Sequence, residues 1–229
     1  MADFRLISLC NVIYKIISKV LVNRLKLILP QINTSSQSAF VPGRLITDNV
    51  LVAYETLHVM HVRKKGKKGA LALKFDVNKA YDRVEWDFLK GMMIKLGFLE
   101  VWVDRVTKCV STPSFSVRIN GKAYGNIKPS RGIHQGDPLS PYLFLICAEG
   151  ITSLLAKAKL DGRLHGVVAC RNAPRITNLL FADDSLIFCQ ANSEMHVVSD
   201  TLQLYVDASS QCINLQKSST YFNSNVKVE

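Results

Sequence analysis

Residues 178–189 read NLLFADDSLIFC, two short apolar runs on either side of Ala182, Asp183 and Asp184. Such runs around a small residue and two acids predict a β-hairpin with adjacent carboxylates at its tip. Like charges a few ångströms apart repel, so a compensating positive group is expected beside them. Taken alone, an Asp pair in a hairpin turn is also what ordinary solvated turn residues look like.

Working outward, residues 70–77 read ALALKFDV. Leu71, Leu73 and Phe75 alternate on one face of a strand, which sends Asp76 to the opposite face at the strand end. Asp76, Asp183 and Asp184 would then form an oxygen-rich cluster of the hard-ligand type that Mg²⁺ prefers. Two such ions roughly 3.5–4 Å apart would activate a 3′-hydroxyl and stabilise a pyrophosphate leaving group. Spacing alone does not bring Asp76 to the other two.

Apolar residues between Val12 and Leu29 recur at helical steps, predicting an amphipathic helix that stops at Pro30. A second helix is expected from about Asp48 to Val62, after the turn at Pro42 and Gly43. Residues 80–96 read as a helix closed by Gly97, and 114–129 as a hairpin turning at Asn120 and Gly121. Residues 142–159 read as a long apolar helix, and a last helix starts at a Ser193 cap. The order suits an α+β fold, an antiparallel sheet covered by helices on one face.

The chain has 229 residues, 48% hydrophobic, enough to bury a sizeable core. Lys and Arg number 29 against 18 Asp and Glu, a formal charge of +11. That excess favours polyanionic partners, nucleic acid first, and equally suits a basic protein that merely stays soluble. The run RKKGKKG, with Arg63, Lys64 and Lys65, reads as a basic surface turn able to meet phosphate. Six cysteines show no metal-ligand spacing and mostly sit in apolar runs, so they are expected to be reduced core residues. The opening MADFRLISLC is no secretory leader, and Lys15, Lys19, Asn23, Arg24 and Lys26 break the apolar stretch too often for a bilayer span. An intracellular protein, nuclear or cytoplasmic, is expected.

Six blocks in order carry a resemblance over nearly the whole chain: FRLISLCNVIYKIISKVLVNRLK, QSAFVPGRLITDN, LKFDVNKAYDRVEW, RGIHQGDPLSPYLF, LLFADDSLIF and INLQKSS. The chain resembles the reverse transcriptase domain of plant non-LTR, LINE-type retrotransposons. The resemblance implies polymerase palm and fingers: 1–70 a fingers-like helical region, 71–229 a palm with the catalytic sheet, and 131–160 the loop and helix between them. Residues 1–229 would thus be one domain, beginning at the fingers and ending before a thumb.

The resemblance also implies site roles. Asp76, Asp183 and Asp184 match the metal-binding acids, and the Val77 carbonyl would join them on the metal bound with the nucleotide. Two Mg²⁺ ions are implied, with Mn²⁺ an alternative. Tyr81 matches the aromatic gate under the sugar, whose ring excludes a 2′-hydroxyl. Gln135 and Gly136 match the loop that holds template and incoming nucleotide, Arg5 a contact to the triphosphate, and Lys217 the lysine that protonates departing pyrophosphate. Arg44 and the basic run from Arg63 are implied contacts to template or primer. Leu6 and Ser210 stand where the resembled family has Pro and Gly.

The implied activity is RNA-directed DNA polymerisation on an RNA template with a DNA primer and deoxynucleoside triphosphates. The alternative is an inactive retrotransposon remnant that keeps non-specific nucleic-acid binding.

Overall fold

Leu71, Leu73 and Phe75 alternate with Ala70, Ala72 and Lys74 along β1 (Ala70–Phe75), and apolar groups on both faces suit a central strand. The computed structural model describes residues 7–63, 69–170, 172–191 and 193–226. The helices are α1 (Val12–Ile32), α2 (Ile46–Val62), α3 (Trp86–Lys95), α4 (Glu100–Ser111), α5 (Ser140–Leu160) and α6 (Met195–Ser209). Around β1 stand β6 (Asn178–Phe181), β7 (Asp184–Gln190) and β8 (Ser219–Phe222) in the antiparallel order β6-β7-β1-β8. Two small hairpins, β2 (Phe115–Ile119) with β3 (Lys122–Ile127) and β4 (Val167–Val168) with β5 (Arg175–Ile176), complete the α+β fold.

Helices cover both faces of the sheet, not one as expected. Leu71, Phe75, Ile187 and Cys189 pack with Ile151 and Leu155 of α5 and Val198, Leu202 and Tyr205 of α6. On the other face Ala72 and Phe188 meet Met60 of α2 and Val167 of β4. The two sets alternate along β1 and β7, so strand pleating itself supplies two apolar faces. A third group of side chains, from α1, α3, α4 and the first half of α5, forms a further core beside the sheet.

Several local expectations change. Helix α1 runs through Pro30 to Ile32. A proline near a helix end loses one backbone donor, and here Asn33 N–H still reaches the Leu29 carbonyl at 3.0 Å. Residues 78–83 are turns, so the expected helix starts only at Trp86. Long-range bonds hold that segment open: Gly132 N–H donates to the Val84 carbonyl at 2.8 Å and Ile133 N–H to the Tyr81 carbonyl at 2.9 Å. Helix α4 is not among the expected elements, although buried Val103, Val106 and Val110 stand at helical spacing. The α6 cap is Glu194, not Ser193, and its side chain makes no capping bond. Of the cysteines, only Cys147 and Cys189 are buried, and all six are free thiols. The turn at Asn120 and Gly121 is as expected, both with positive φ.

Candidate active site

Strand register builds the site. Phe75 pairs with Ser185 across β1 and β7, so the next step places Asp76 opposite Asp184. Cross-strand partners share a face, the one opposite Leu71, Leu73 and Phe75, as the alternation predicted. Asp183 lies one residue back in the two-residue turn that joins Phe181 to Asp184. Ala182 in that turn has φ of 53°. Left-handed backbone on a residue with a Cβ is costly and persists only where its surroundings fix it. Gln37 does so: its Oε1 accepts from the Ala182 amide at 3.2 Å and from the Ala39 amide at 3.0 Å. Gln37 itself is tied to the β6 edge, where Ser38 N–H donates to the Leu180 carbonyl at 3.2 Å and Leu180 N–H to that of Ser36 at 2.8 Å.

The compensating charge expected beside the acids is present twice. Lys74 Nζ stands 3.6 Å from Asp184 Oδ1, and Lys217 Nζ 4.0 Å from Asp76 Oδ2. The first pair is exposed and contributes only ~0.2–1 kcal/mol, and the second spans 4.0 Å to a half-buried carboxylate, so a stronger cation can displace either lysine. The Asp76 carbonyl accepts from Asn214 N–H at 2.8 Å, and Asn78 N–H donates to Cys212 at 2.7 Å. Between these bonds the Val77 carbonyl has no hydrogen-bond donor among the described residues. Three carboxylates and a free carbonyl are an all-oxygen donor set, which suits Mg²⁺. Among the described residues, however, no three His, Cys, Asp or Glu side chains converge closely enough to hold an ion. The donors fit by chemistry, while the side chains of Asp76 and Asp184 are turned to lysines.

Tyr81 stacks on Phe144, ring centroids 5.2 Å apart and planes 12° from parallel. Burial and then the nearby Asp183 carboxylate push its phenol up to about 12. The phenol is therefore neutral throughout the physiological range. Buried Gln211 supports this turn, its Nε2 donating to the Ala80 carbonyl at 3.2 Å.

Gln135 and Gly136 lie on a loop fastened to the Tyr81–Trp86 turn, with Trp86 Nε1 donating to the Gly132 carbonyl at 2.8 Å. The Gln135 carbonyl accepts from Ser8 N–H at 2.8 Å. Gly136 has φ of +102°, and a Cβ there would lie 2.7 Å from the Ser8 carbonyl oxygen. Gly136→Ala is therefore expected to cost ~1–3 kcal/mol locally. Hydrogen exchange of the Ser8 amide should speed up by about tenfold or more; unchanged protection would show that the loop absorbs a methyl group.

Other expected residues fall elsewhere. Arg44 places its guanidinium on the carbonyls of Pro30 (3.3 Å), Asn33 (2.9 Å), Gln37 (2.7 Å) and Thr34. It caps the end of α1, so a phosphate contact would have to use what those bonds leave exposed. Arg63 ends α2 and lines a cleft at the start of β1. Arg5, Lys64 and Lys65 lie outside the described residues, as does Leu6. Ser210, where the resembled family has Gly, adopts φ of 55° at the C-cap of α6, the backbone that favours glycine. Sequence reasoning does not single out Gln37, Lys74 or Gln211, each polar and ordinary until the fold sets it against the site.

Comparison with known proteins gives the family context. The profile described as "Reverse transcriptase (RNA-dependent DNA polymerase)" matches residues 1–228. The chain is 32% identical over 227 residues to the transposon TX1 uncharacterized 149 kDa protein of Xenopus laevis, covering 99% of this chain and 17% of that protein. It is 27% identical over 200 residues to the retrovirus-related Pol polyprotein from type-2 retrotransposable element R2DM of Drosophila melanogaster, covering 86% and 18%. The chain thus spans under a fifth of the length of these curated relatives. Among solved structures, telomerase of Candida tropicalis, determined in complex with a fragment of telomeric RNA, matches with a TM-score of 0.61 at 14% identity. That match covers 92% of this chain and 33% of the telomerase chain, and it speaks for the fold alone. Among the described residues no helix is long and apolar enough to cross a membrane.

Proposed function

Because this chain belongs to the reverse transcriptase (RNA-dependent DNA polymerase) family, we propose that it carries the nucleotidyl-transfer centre of an RNA-directed DNA polymerase from a plant non-LTR retrotransposon. The observation that carries the reading is the β1–β7 register, which sets Asp76 opposite Asp184 and next to the Asp183 turn. The plant affiliation rests on the six ordered sequence blocks. Residues 1–70 are read as fingers, 71–229 as palm and 131–160 as the loop and helix between them.

In this reading Asp76, Asp183, Asp184 and the Val77 carbonyl hold two divalent ions. When bound, the ions supply activation of the primer 3′-hydroxyl and charge stabilisation of departing pyrophosphate. The chain's own groups do the rest. Lys217, held beside Asp76, hands a proton to pyrophosphate. The Tyr81 ring, braced by Phe144, lies under the sugar of the incoming nucleotide. Gln135 and Gly136 hold template and incoming nucleotide and Arg5 contacts the triphosphate; Arg63, Lys64 and Lys65 contact template or primer, joined by the part of the Arg44 guanidinium that the α1 carbonyls leave open.

The test is extension of a DNA primer on an RNA template by purified protein with Mg²⁺ and deoxynucleoside triphosphates. Templated products are expected, and their absence over a Mg²⁺ and Mn²⁺ titration rejects the reading. Tyr81→Ala removes the gate and should lower discrimination against ribonucleotides by roughly tenfold to a hundredfold. Tyr81→Phe keeps the ring and should keep the discrimination. Equal selectivity in all three proteins would remove Tyr81 from this role.

A further inference from the structure

A cleft of about 220 Å³ opens at the far end of the sheet from the acids. Ala70 and Gln190, which pair across β1 and β7, form part of its wall, whereas Asp76 and Asp184 lie at the other end of the same strands. Six residues at ~3.3 Å each separate the two ends by about 20 Å. Arg63 and Arg175 flank the cleft, and no Asp or Glu lines it among the described residues. Neither guanidinium has an ion-pair or hydrogen-bond partner among the described residues. Asn223, only 3% exposed, fastens its Oδ1 to the Ala70 amide at 2.9 Å, and its Nδ2 donor has no partner among the described residues. Val59 and Met60 supply an apolar wall.

From these groups we infer that the cleft holds the phosphodiester backbone of a nucleic-acid strand at a second site, distinct from the acid cluster. Two arginines and an amide donor, without partners among the described residues, offer what a phosphate accepts: charge and several N–H groups. The volume decides how much of a nucleotide enters. Pockets for whole small molecules span about 300–1,000 Å³, so this one takes a phosphate with its sugar and leaves the base outside. A strand presents that unit with its base left in solvent, and competition with a free mononucleotide separates the two ligands. The inference deepens the nucleic-acid part of the proposed function and needs none of the acids.

The test is fluorescence anisotropy of the full chain with a labelled single-stranded RNA 20-mer between 50 and 300 mM salt. Removing one phosphate-binding cation makes the log–log salt slope shallower by about 0.7, so Arg63→Ala/Arg175→Ala should reduce it by about 1.4. Affinity should weaken roughly tenfold, with Arg63→Lys/Arg175→Lys restoring the slope. Lys90→Ala/Lys95→Ala on the exposed face of α3 removes the same charge elsewhere and should leave the slope unchanged. An equal change in that control, or no change in the arginine variant, overturns the inference. Unlabelled adenosine 5′-monophosphate and inorganic phosphate serve as competitors; displacement by either at micromolar concentration would mark a free-phosphate site and overturn the strand assignment. The binding assay contains neither divalent ions nor deoxynucleotides, so a chain that fails to extend primers still leaves this test standing.

Discussion

Asp183→Asn should reduce templated primer extension by about three orders of magnitude, the scale lost when one preorganised charge is removed from a reaction centre. The substitution is nearly isosteric and leaves the turn standing. Ala182 keeps its left-handed backbone because Gln37 Oε1 still holds its amide, and the pairing of Phe181 with Asp184 is main-chain only. What disappears is one of three negative charges, so binding of divalent ions weakens while the fold and RNA affinity stay. A second readout follows from Tyr81. Its phenol is raised first by burial and second by Asp183. Removing the carboxylate removes the second cause, so titration at alkaline pH should begin lower than in the parent, still above the ordinary tyrosine value because burial remains. Extension within a few-fold of the parent would remove Asp183 from the chemistry; an unchanged Tyr81 titration would show that the two groups do not interact.

Phe188→Ala should destabilise the whole sheet. Phe188 is fully buried on β7, the strand that presents Asp184, and packs with Ala72 of β1, Met60 of α2 and Val167 of β4. Truncating a buried Phe costs ~3–5 kcal/mol, transfer and cavity together. For a chain of this size each kcal/mol moves the melting temperature by about 2–4 °C, so a fall of about 10 °C is expected. Phe188→Leu keeps most of the volume and should cost less than ~1.5 kcal/mol. The same residue joins α2 to the sheet, so the Ala variant should also loosen the cleft between Arg63 and Arg175. A melting shift of a degree or two would mean that α2 does not depend on this contact.

Much of the site is legible in the sequence because its signals are local. The Ala182–Asp183 turn and the alternation of Leu71, Leu73 and Phe75 each lie within a few residues, and strand pleating converts them directly into faces. Legibility ends where distant groups decide local structure. Residues 80–83 belong to a stretch with helical spacing, yet the carbonyls of Tyr81 and Val84 accept N–H groups from Ile133 and Gly132, and the helix waits until Trp86. Arg44 has the look of a phosphate ligand and is occupied by the end of α1, a partner that nothing in VPGRLITDN announces.

The amino-acid sequence by itself determined which residues end strands, which turns can carry two acids, and which family the ordered blocks resemble. Only the tertiary structure decided that Asp76 stands opposite Asp184, that Lys74 and Lys217 neutralise them, and that α2 closes the second face of the sheet. Periodicity chooses the buried side of one element. Pairing between strands remote in the chain is chosen by the apolar area and hydrogen bonds that all elements satisfy together.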